Sequence, residues 1–96
     1  FLTDGPSLTT RPTDQTVVEG ATVTFSCYSI GNPVPDIVWI KDGKTVATGN
    51  ILSFETSRNQ SGKYWCSAKN DLKTVNTSVN LDVNVSVAIL SLSLAR

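Results

Sequence analysis

The spacing of four residues constrains the fold of this chain more than any other feature. Cys27 and Cys66 lie 39 positions apart. Trp39 follows the first cysteine by 12 positions, and Tyr64 precedes the second by two. These offsets are typical of a sandwich of two β-sheets, in which an indole packs against a disulfide between the sheets and a tyrosine hydroxyl ties down a corner. Because such sandwiches carry many unrelated binding functions, the spacing constrains the function less tightly than the fold.

Length and composition favour one small domain that needs a covalent link. The chain has 96 residues, of which 40% are hydrophobic, and a domain of this size buries only roughly 60–65% of its unfolded surface. Closing a loop of about 40 residues adds about 4 kcal/mol of stability on the chain-entropy model. Two cysteines and no others suit an oxidising compartment. The alternative is a pair of free, buried thiols in a cytosolic protein, which the tryptophan and tyrosine offsets disfavour.

The alternation of apolar and polar residues predicts strands throughout. The period is two almost everywhere, and no segment shows a sustained helical stripe. Turn signals separate seven or eight short strands, the first of which runs over 6–18 and is broken at Pro12, because proline cannot donate to a ladder. The inward positions of these strands predict a set of core residues: Trp39, Leu52, Phe54, Tyr64 and Leu81.

Several stretches carry a resemblance to a known family: VVEGATVTFSC at 17–27, GNPVPDIVW at 31–39, WIKDG at 39–43, CSAKN at 66–70 and LDV at 81–83. In these stretches the chain resembles an immunoglobulin-superfamily domain of the short C2 or intermediate (I-set-like) type. The resemblance implies an all-β, two-sheet antiparallel sandwich with Greek-key topology and one inter-sheet disulfide, Cys27–Cys66. It covers residues 6–85, which leaves 1–5 as an N-terminal extension and 86–96 as a tail or linker.

Three departures from the family pattern bear on the structure. Trp39 and Cys66 lie only 27 positions apart, too few for the two extra strands of a variable-type domain. Gln60 stands where the family usually has an acidic residue, so we expect the usual salt bridge to be lost and Arg58 to be solvated. Lys73 stands where the final hairpin usually has glycine, which predicts a longer or differently shaped turn.

Composition gives no support to catalysis, metal binding or nucleic-acid binding. The chain has no histidine, which removes the usual partner of serine and cysteine nucleophiles and the commonest metal ligand. Eight basic and eight acidic side chains cancel, with no basic run of the kind that binds nucleic acid. We therefore expect no enzyme activity, no metal and no cofactor. The partner class that remains is protein: a cell-surface or secreted ligand, a second copy of the domain, or neighbouring immunoglobulin domains.

One sheet face and one end of the sandwich are candidates for contact with a partner. If Trp39 and Tyr64 point inward, the alternation turns Val38, Ile40 and Trp65 outward as an apolar cluster on the sheet of the C, F and G strands. With the outward Lys63 beside Trp65, these are the candidate partner-binding residues. Exposed tryptophans are enriched at interface hot spots. The competing interpretation is local packing, with the lysine stem covering the indole. The loop tips at 30–36 and 70–73 are the second candidate, although the prolines of the first loop, one of whose bonds could be cis, are explained by turn geometry alone.

Three sequons mark candidate N-glycosylation sites: Asn59, Asn76 and Asn84. The alternation places Asn76 and Asn84 on the outer side of the last strand, where sugars would crowd the face that carries Trp65. This conflict favours an interface confined to the C and F strands, or one at the loop tips.

The leading functional hypothesis is an extracellular recognition or adhesion module of a cell-surface receptor or adhesion protein, membrane-anchored or secreted. The alternative is a structural spacer in a tandem immunoglobulin array with no ligand of its own, and a third reading is an intracellular muscle-type structural domain. The apolar tail at 86–96 leaves four interpretations open: an artefact, a linker to a following domain, the start of a membrane segment, or an extra strand that pairs with another chain. We rank the first two ahead of the others.

Overall fold

The computed structural model describes residues 3–85, so the tail at 86–96 lies outside the described residues. Within 3–85, nine β-strands and one 3₁₀ turn follow one another: β1 (Asp4–Thr10), β2 (Gln15–Val18), β3 (Thr22–Ser26), β4 (Tyr28–Asn32), β5 (Asp36–Lys41), β6 (Lys44–Thr48), β7 (Ile51–Glu55), the 3₁₀ turn (Arg58–Gln60), β8 (Gly62–Lys69) and β9 (Thr74–Asn84). The first strand takes in the last two residues of the predicted extension, and the chain is interrupted around Pro12 as predicted.

The strands form two layers. One layer is a five-stranded sheet in the order β2-β9-β8-β5-β6, in which β2 pairs with β9 in parallel and the other pairs are antiparallel. The second layer contains the antiparallel pairs β1-β4 and β3-β7, which are joined through Cys27. Strands distant in sequence lie side by side, as β5 and β8 do. The predicted all-β sandwich is confirmed, and β5, β8 and β9 are its C, F and G strands.

The core lies between the layers and is centred on the disulfide. Cys27 and Cys66 are bonded at 2.03 Å, which confirms the predicted pairing. Trp39 lies on the partner strand directly opposite Cys66, is completely buried, and donates from Nε1 to the carbonyl of Gly49 at 3.0 Å. The buried apolar side chains around them are Val23, Phe25, Ile37, Leu52, Tyr64, Ala68, Val79, Leu81 and Val83. Phe54 is only partly buried and packs against this cluster.

The tight turn between β5 and β6 follows from its local sequence. Asp42 and Gly43 both have positive φ, 53° and 78°, and Lys41 pairs with Lys44 across them. Positive φ at both central residues is the type I′ geometry that matches the twist of the flanking strands, and aspartate followed by glycine is a favoured sequence for it. The short middle of the domain then runs through β6 to β7 with only two residues between them.

A tertiary contact revises the expectation about Arg58. Arg58 is largely exposed, but it is not simply solvated: its Nε lies 3.3 Å from Oε2 of Glu19. This pairing replaces the family's usual salt bridge with one to a different turn of the chain. The final hairpin turns through the four residues 70–73, none of which has positive φ. The side chain of Asn70 supports this turn by accepting from the amides of Leu72 and Lys73.

The tyrosine corner fixes the start of β8. Tyr64 is buried and donates its hydroxyl to the carbonyl of Gln60 at 2.7 Å. A second hydrogen bond stabilises the 3₁₀ turn that contains Gln60: the amide of Ser57 donates to Oε1 of Gln60 at 2.7 Å. Burial raises the pKa of Tyr64, while the neighbouring charge of Lys41 lowers it in part.

We expect the Tyr64→Phe variant to lose about 1 kcal/mol of stability at neutral pH, since the hydroxyl bond to the backbone is removed. Because the folded-state pKa of Tyr64 is raised, the folded protein holds this proton more tightly than the unfolded chain. Its contribution is therefore complete below about pH 10, the unfolded value, and is lost as the pH rises through the folded value. Urea unfolding at a series of alkaline pH values should show a steeper loss in the wild type than in the variant; equal slopes would contradict this role.

Candidate functional site

The outer face of the five-stranded sheet brings together the four predicted contact residues. In the register, Ile40 of β5 is opposite Trp65 of β8, which is opposite Ser78 of β9. The neighbouring row pairs Val38 with Ser67. Directly opposite residues of antiparallel strands lie on the same face with Cβ atoms about 4.5–5.5 Å apart. We call the surface formed by Val38, Ile40, Lys63 and Trp65 the Trp65 face.

Trp65 is the exposed centre of this face. Its side chain is 39% exposed, whereas Trp39 on the adjacent strand is fully buried. The ammonium of Lys63 lies 5.7 Å from the centroid of the indole ring. A cation over an exposed ring contributes about 0.5–1 kcal/mol. The lysine therefore borders the ring as the packing interpretation expects, and yet it leaves more than a third of the tryptophan accessible.

The residues beside Trp65 are less exposed than the indole and mostly apolar. Val38 and Ile40 are half-buried. Ser67 points to the same side but is only 8% exposed. Its burial follows from its size, because a small side chain set among larger register neighbours lies below them. The result is a continuous surface from Val38 to the indole with no carboxylate on β5 or β8 between them, which suits contact with an apolar or aromatic group of a partner.

The loop tips form a second exposed apolar surface at one end of the sandwich. Val34 is 82% exposed and Leu72 is 52% exposed. Their loops are tied together by Asn70, whose Nδ2 donates to the carbonyls of Asp4 at 2.7 Å and Pro33 at 3.0 Å. The Asn32–Pro33 peptide bond is cis. The tips are thus held in place by one buried amide that the sequence did not single out.

The sequons lie at three separate places. Asn76 and Asn84 are both exposed on β9, on the same side of the sheet as Trp65, as the alternation predicted. Asn76 is opposite Ser67, and Asn84 is opposite Val18 of β2. Asn59 lies in the 3₁₀ turn, where its Oδ1 accepts from the hydroxyl of Ser57 at 2.6 Å.

A further concavity lies away from the Trp65 face. A cavity of about 520 Å³ opens between β6 and β7, with side chains that include Val46, Ile51, Phe54 and Tyr64. Within residues 3–85, no group of three or more acidic, cysteine or histidine side chains is placed to hold a metal ion. The arrangement supports recognition by shape and apolar contact.

Comparison with known proteins decides the family. A family model described as "Immunoglobulin domain" matches residues 5–70, which includes both cysteines. The chain belongs to the immunoglobulin domain family. The matched range contains β5 and β8, the two strands that carry the Trp65 face.

Two relatives of this immunoglobulin domain are receptor or phosphatase proteins. It is 33% identical over 92 residues to "Receptor-type tyrosine-protein phosphatase F" of Danio rerio, covering 81% of the chain and 5% of the relative. It is 37% identical over 90 residues to "Tyrosine-protein phosphatase Lar" of Drosophila melanogaster, covering 83% of the chain and 4% of the relative. The chain therefore spans about one-twentieth of the length of these relatives. It corresponds to an immunoglobulin part of them, a kind of domain that is typically non-enzymatic.

A solved structure agrees with this assignment. The immunoglobulin domain superimposes on "Sidekick-1 immunoglobulin domains 1-5" with a TM-score of 0.82 and 28% sequence identity, over 88% of this chain and 21% of that one. Like the immunoglobulin domains of the receptor-type relatives, it is an extracellular domain. Within 3–85, none of the chain forms a helix with the length and apolar character required to span a bilayer.

Proposed function

We propose that this immunoglobulin domain is a recognition module in the extracellular part of a cell-surface receptor or adhesion protein, and that it binds another protein through the Trp65 face. The observation that carries the proposal is the exposure of Trp65 at the centre of a sheet face, beside the half-buried Val38 and Ile40. Tryptophan is among the residues most enriched at interface hot spots.

The charge distribution supports contact at this face. Lys63 is the only charged residue among the four that define it, and charged residues are depleted at the centres of interfaces. A lysine at the edge of an apolar surface selects against basic partners and favours partners that place an acceptor next to an apolar group. We therefore expect a protein ligand with an apolar or aromatic anchor and an adjacent carboxylate or carbonyl.

The proposal is tested by displaying the domain in multivalent form against an array of cell-surface and secreted ectodomains, since multivalency strengthens contacts that are weak in one copy. We expect Trp65→Ala to abolish the binding seen with the wild type, because truncation of a hot-spot residue costs about 2 kcal/mol or more. The matched control is Ile51→Ala, which removes an exposed apolar side chain from the other layer. Binding that survives Trp65→Ala, or that is lost equally in both variants, would remove this face from consideration.

A spacer in a tandem array is the second candidate. The observation that favours it is the placement of the Asn76 and Asn84 sequons on the outer side of β9, because sugars at both would coat part of the sheet that carries Trp65. The recognition module and the spacer are distinguished by replacing the domain in its full-length parent with an unrelated immunoglobulin domain of equal length. Partner binding that persists after the exchange supports the spacer, and binding that is lost supports recognition.

A further inference from the structure

We propose that Asn76 carries an N-linked glycan that shields the β9 side of Trp65 and thereby limits access to the Trp65 face. The shielding follows from the register and does not require a partner, whereas its consequence for binding rests on the function proposed above. Asn76 is opposite Ser67 on β8, and Trp65 is two residues from Ser67 on the same face. The asparagine is thus the diagonal neighbour of the tryptophan, a relation that places Cβ atoms about 7–8 Å apart.

The local surface suits a sugar at this position. Asn76 is exposed, and among the described residues no hydrogen bond engages its carboxamide. β2 pairs with β9 only from Leu81 onward, so within residues 3–85 the β2 pairing does not reach Asn76. Ser67 is buried between Asn76 and Val38. A sugar attached to the exposed Asn76 therefore has the indole within reach across Ser67.

The chemistry of attachment is ordinary sequon chemistry. The carboxamide nitrogen of Asn76 displaces a diphosphate from the anomeric carbon of a lipid-linked oligosaccharide. One N–C bond forms, the C–O bond to phosphate breaks with its electron pair on the leaving diphosphate, and the nitrogen releases one proton. Ser78 supplies the required hydroxyl two positions on.

The other two sequons give internal controls. Asn84 is opposite Val18, near the end of β9 remote from Trp65, and Asn59 lies in the 3₁₀ turn with its carboxamide held by Ser57. A glycan at either place is expected to leave the indole accessible. Asn59→Gln and Asn84→Gln therefore remove a sequon without opening the Trp65 face, while Ser78→Thr preserves the Asn76 sequon and should preserve occupancy.

Site occupancy is measured by mass spectrometry of peptides from the domain secreted by a glycosylating host, before and after enzymatic removal of N-glycans. Shielding is measured by acrylamide quenching of tryptophan fluorescence, which reports on Trp65 because the only other tryptophan, Trp39, is fully buried. We expect a quenching constant about twofold lower in the glycosylated protein than after glycan removal, because a bulky sugar covers one side of the ring.

Variants of the three sequons show which glycan shields Trp65. We expect Asn76→Gln to raise quenching to the level of the deglycosylated protein, with Asn59→Gln and Asn84→Gln unchanged from the glycosylated wild type. An unoccupied Asn76, or quenching that is equal with and without its glycan, overturns the proposal. Shielding by the Asn76 glycan together with an ectodomain array that yields no partner would support this inference and count against the proposed function, so the two fail separately.

Discussion

Replacement of Trp39 by alanine is expected to destabilise the domain by about 3–5 kcal/mol, the range found when a large aromatic side chain is removed from a core. Trp39 is fully buried against the disulfide and Phe25, whose ring centroid lies 6.3 Å away. The substitution also removes the hydrogen bond that the indole donates to the carbonyl of Gly49 at 3.0 Å. A domain of this size has about 5–15 kcal/mol of total stability, so a large part of it would be lost.

The matched control for this prediction is Trp65→Ala, the same chemical change on the adjacent strand. Because Trp65 is 39% exposed and packs against its neighbours with only part of its side chain, its removal should cost clearly less than removal of the fully buried Trp39. Thermal unfolding followed by near-ultraviolet circular dichroism measures both, and each kcal/mol lowers the Tm of a domain of this size by roughly 4–8 °C. Equal losses of Tm in the two variants would show that the inward and outward assignments are wrong.

Removal of the disulfide is the second change with a large expected effect. The Cys27→Ala, Cys66→Ala double variant should lose about 4 kcal/mol on the chain-entropy model, since the bond closes a loop of about 40 residues in the unfolded chain. Both cysteines are fully buried, so part of the loss would come from a small cavity. Urea unfolding of the variant and of the wild type gives the difference directly.

Reduction of the wild type separates these two contributions. The reduced protein keeps both sulfur atoms in the core and loses only the covalent link, so its stability should lie between those of the oxidised wild type and the double variant. An unfolding midpoint that does not change on full reduction would contradict the role assigned to the disulfide.

The sequence predicted the layers of this fold because their determinants are local or repeat with a fixed period. Alternation alone placed Leu81 inward and Asn76 outward on β9, and both are so placed. The Asp42-Gly43 pair favours a tight hairpin, because few other residues adopt positive φ at low cost. The spacing of the cysteines, with a tryptophan and a tyrosine at fixed offsets, then indicated which type of β-sandwich the layers form.

The contacts that the sequence did not predict join residues far apart in the chain. Arg58 pairs with Glu19, and nothing near either residue signals the other. Asn70 resembles an ordinary loop asparagine, yet it is buried because its side chain bridges the N-terminal strand and the proline loop. Ser67 has outward parity but is covered by larger neighbours. Alternation of apolar and polar residues predicts which face of the sheet a side chain lies on. It does not predict how much of that side chain its larger neighbours cover.

The sequence predicted which residues form the candidate site, but not how exposed each of them is or which of them lies at its centre. The sequence indicated which residues share the outer face, whereas only the structure shows that Trp65 is more exposed than Val38 and Ile40 and that Lys63 borders its ring. Those differences identify the indole as the expected anchor. The register also places Asn76, a candidate glycosylation site, diagonal to the indole at the centre of the candidate contact face.

The central claim is that the domain recognises a protein through the Trp65 face, and hydroxyl-radical footprinting of the domain bound to a partner from the ectodomain array tests it most directly. The measurement compares the oxidation of Trp65 with that of Val34 and Leu72 at the loop tips, in the free and the bound domain. We predict that binding lowers the oxidation of Trp65 and leaves the tips unchanged. Protection confined to Val34 and Leu72, with Trp65 oxidised as in the free domain, would contradict the account.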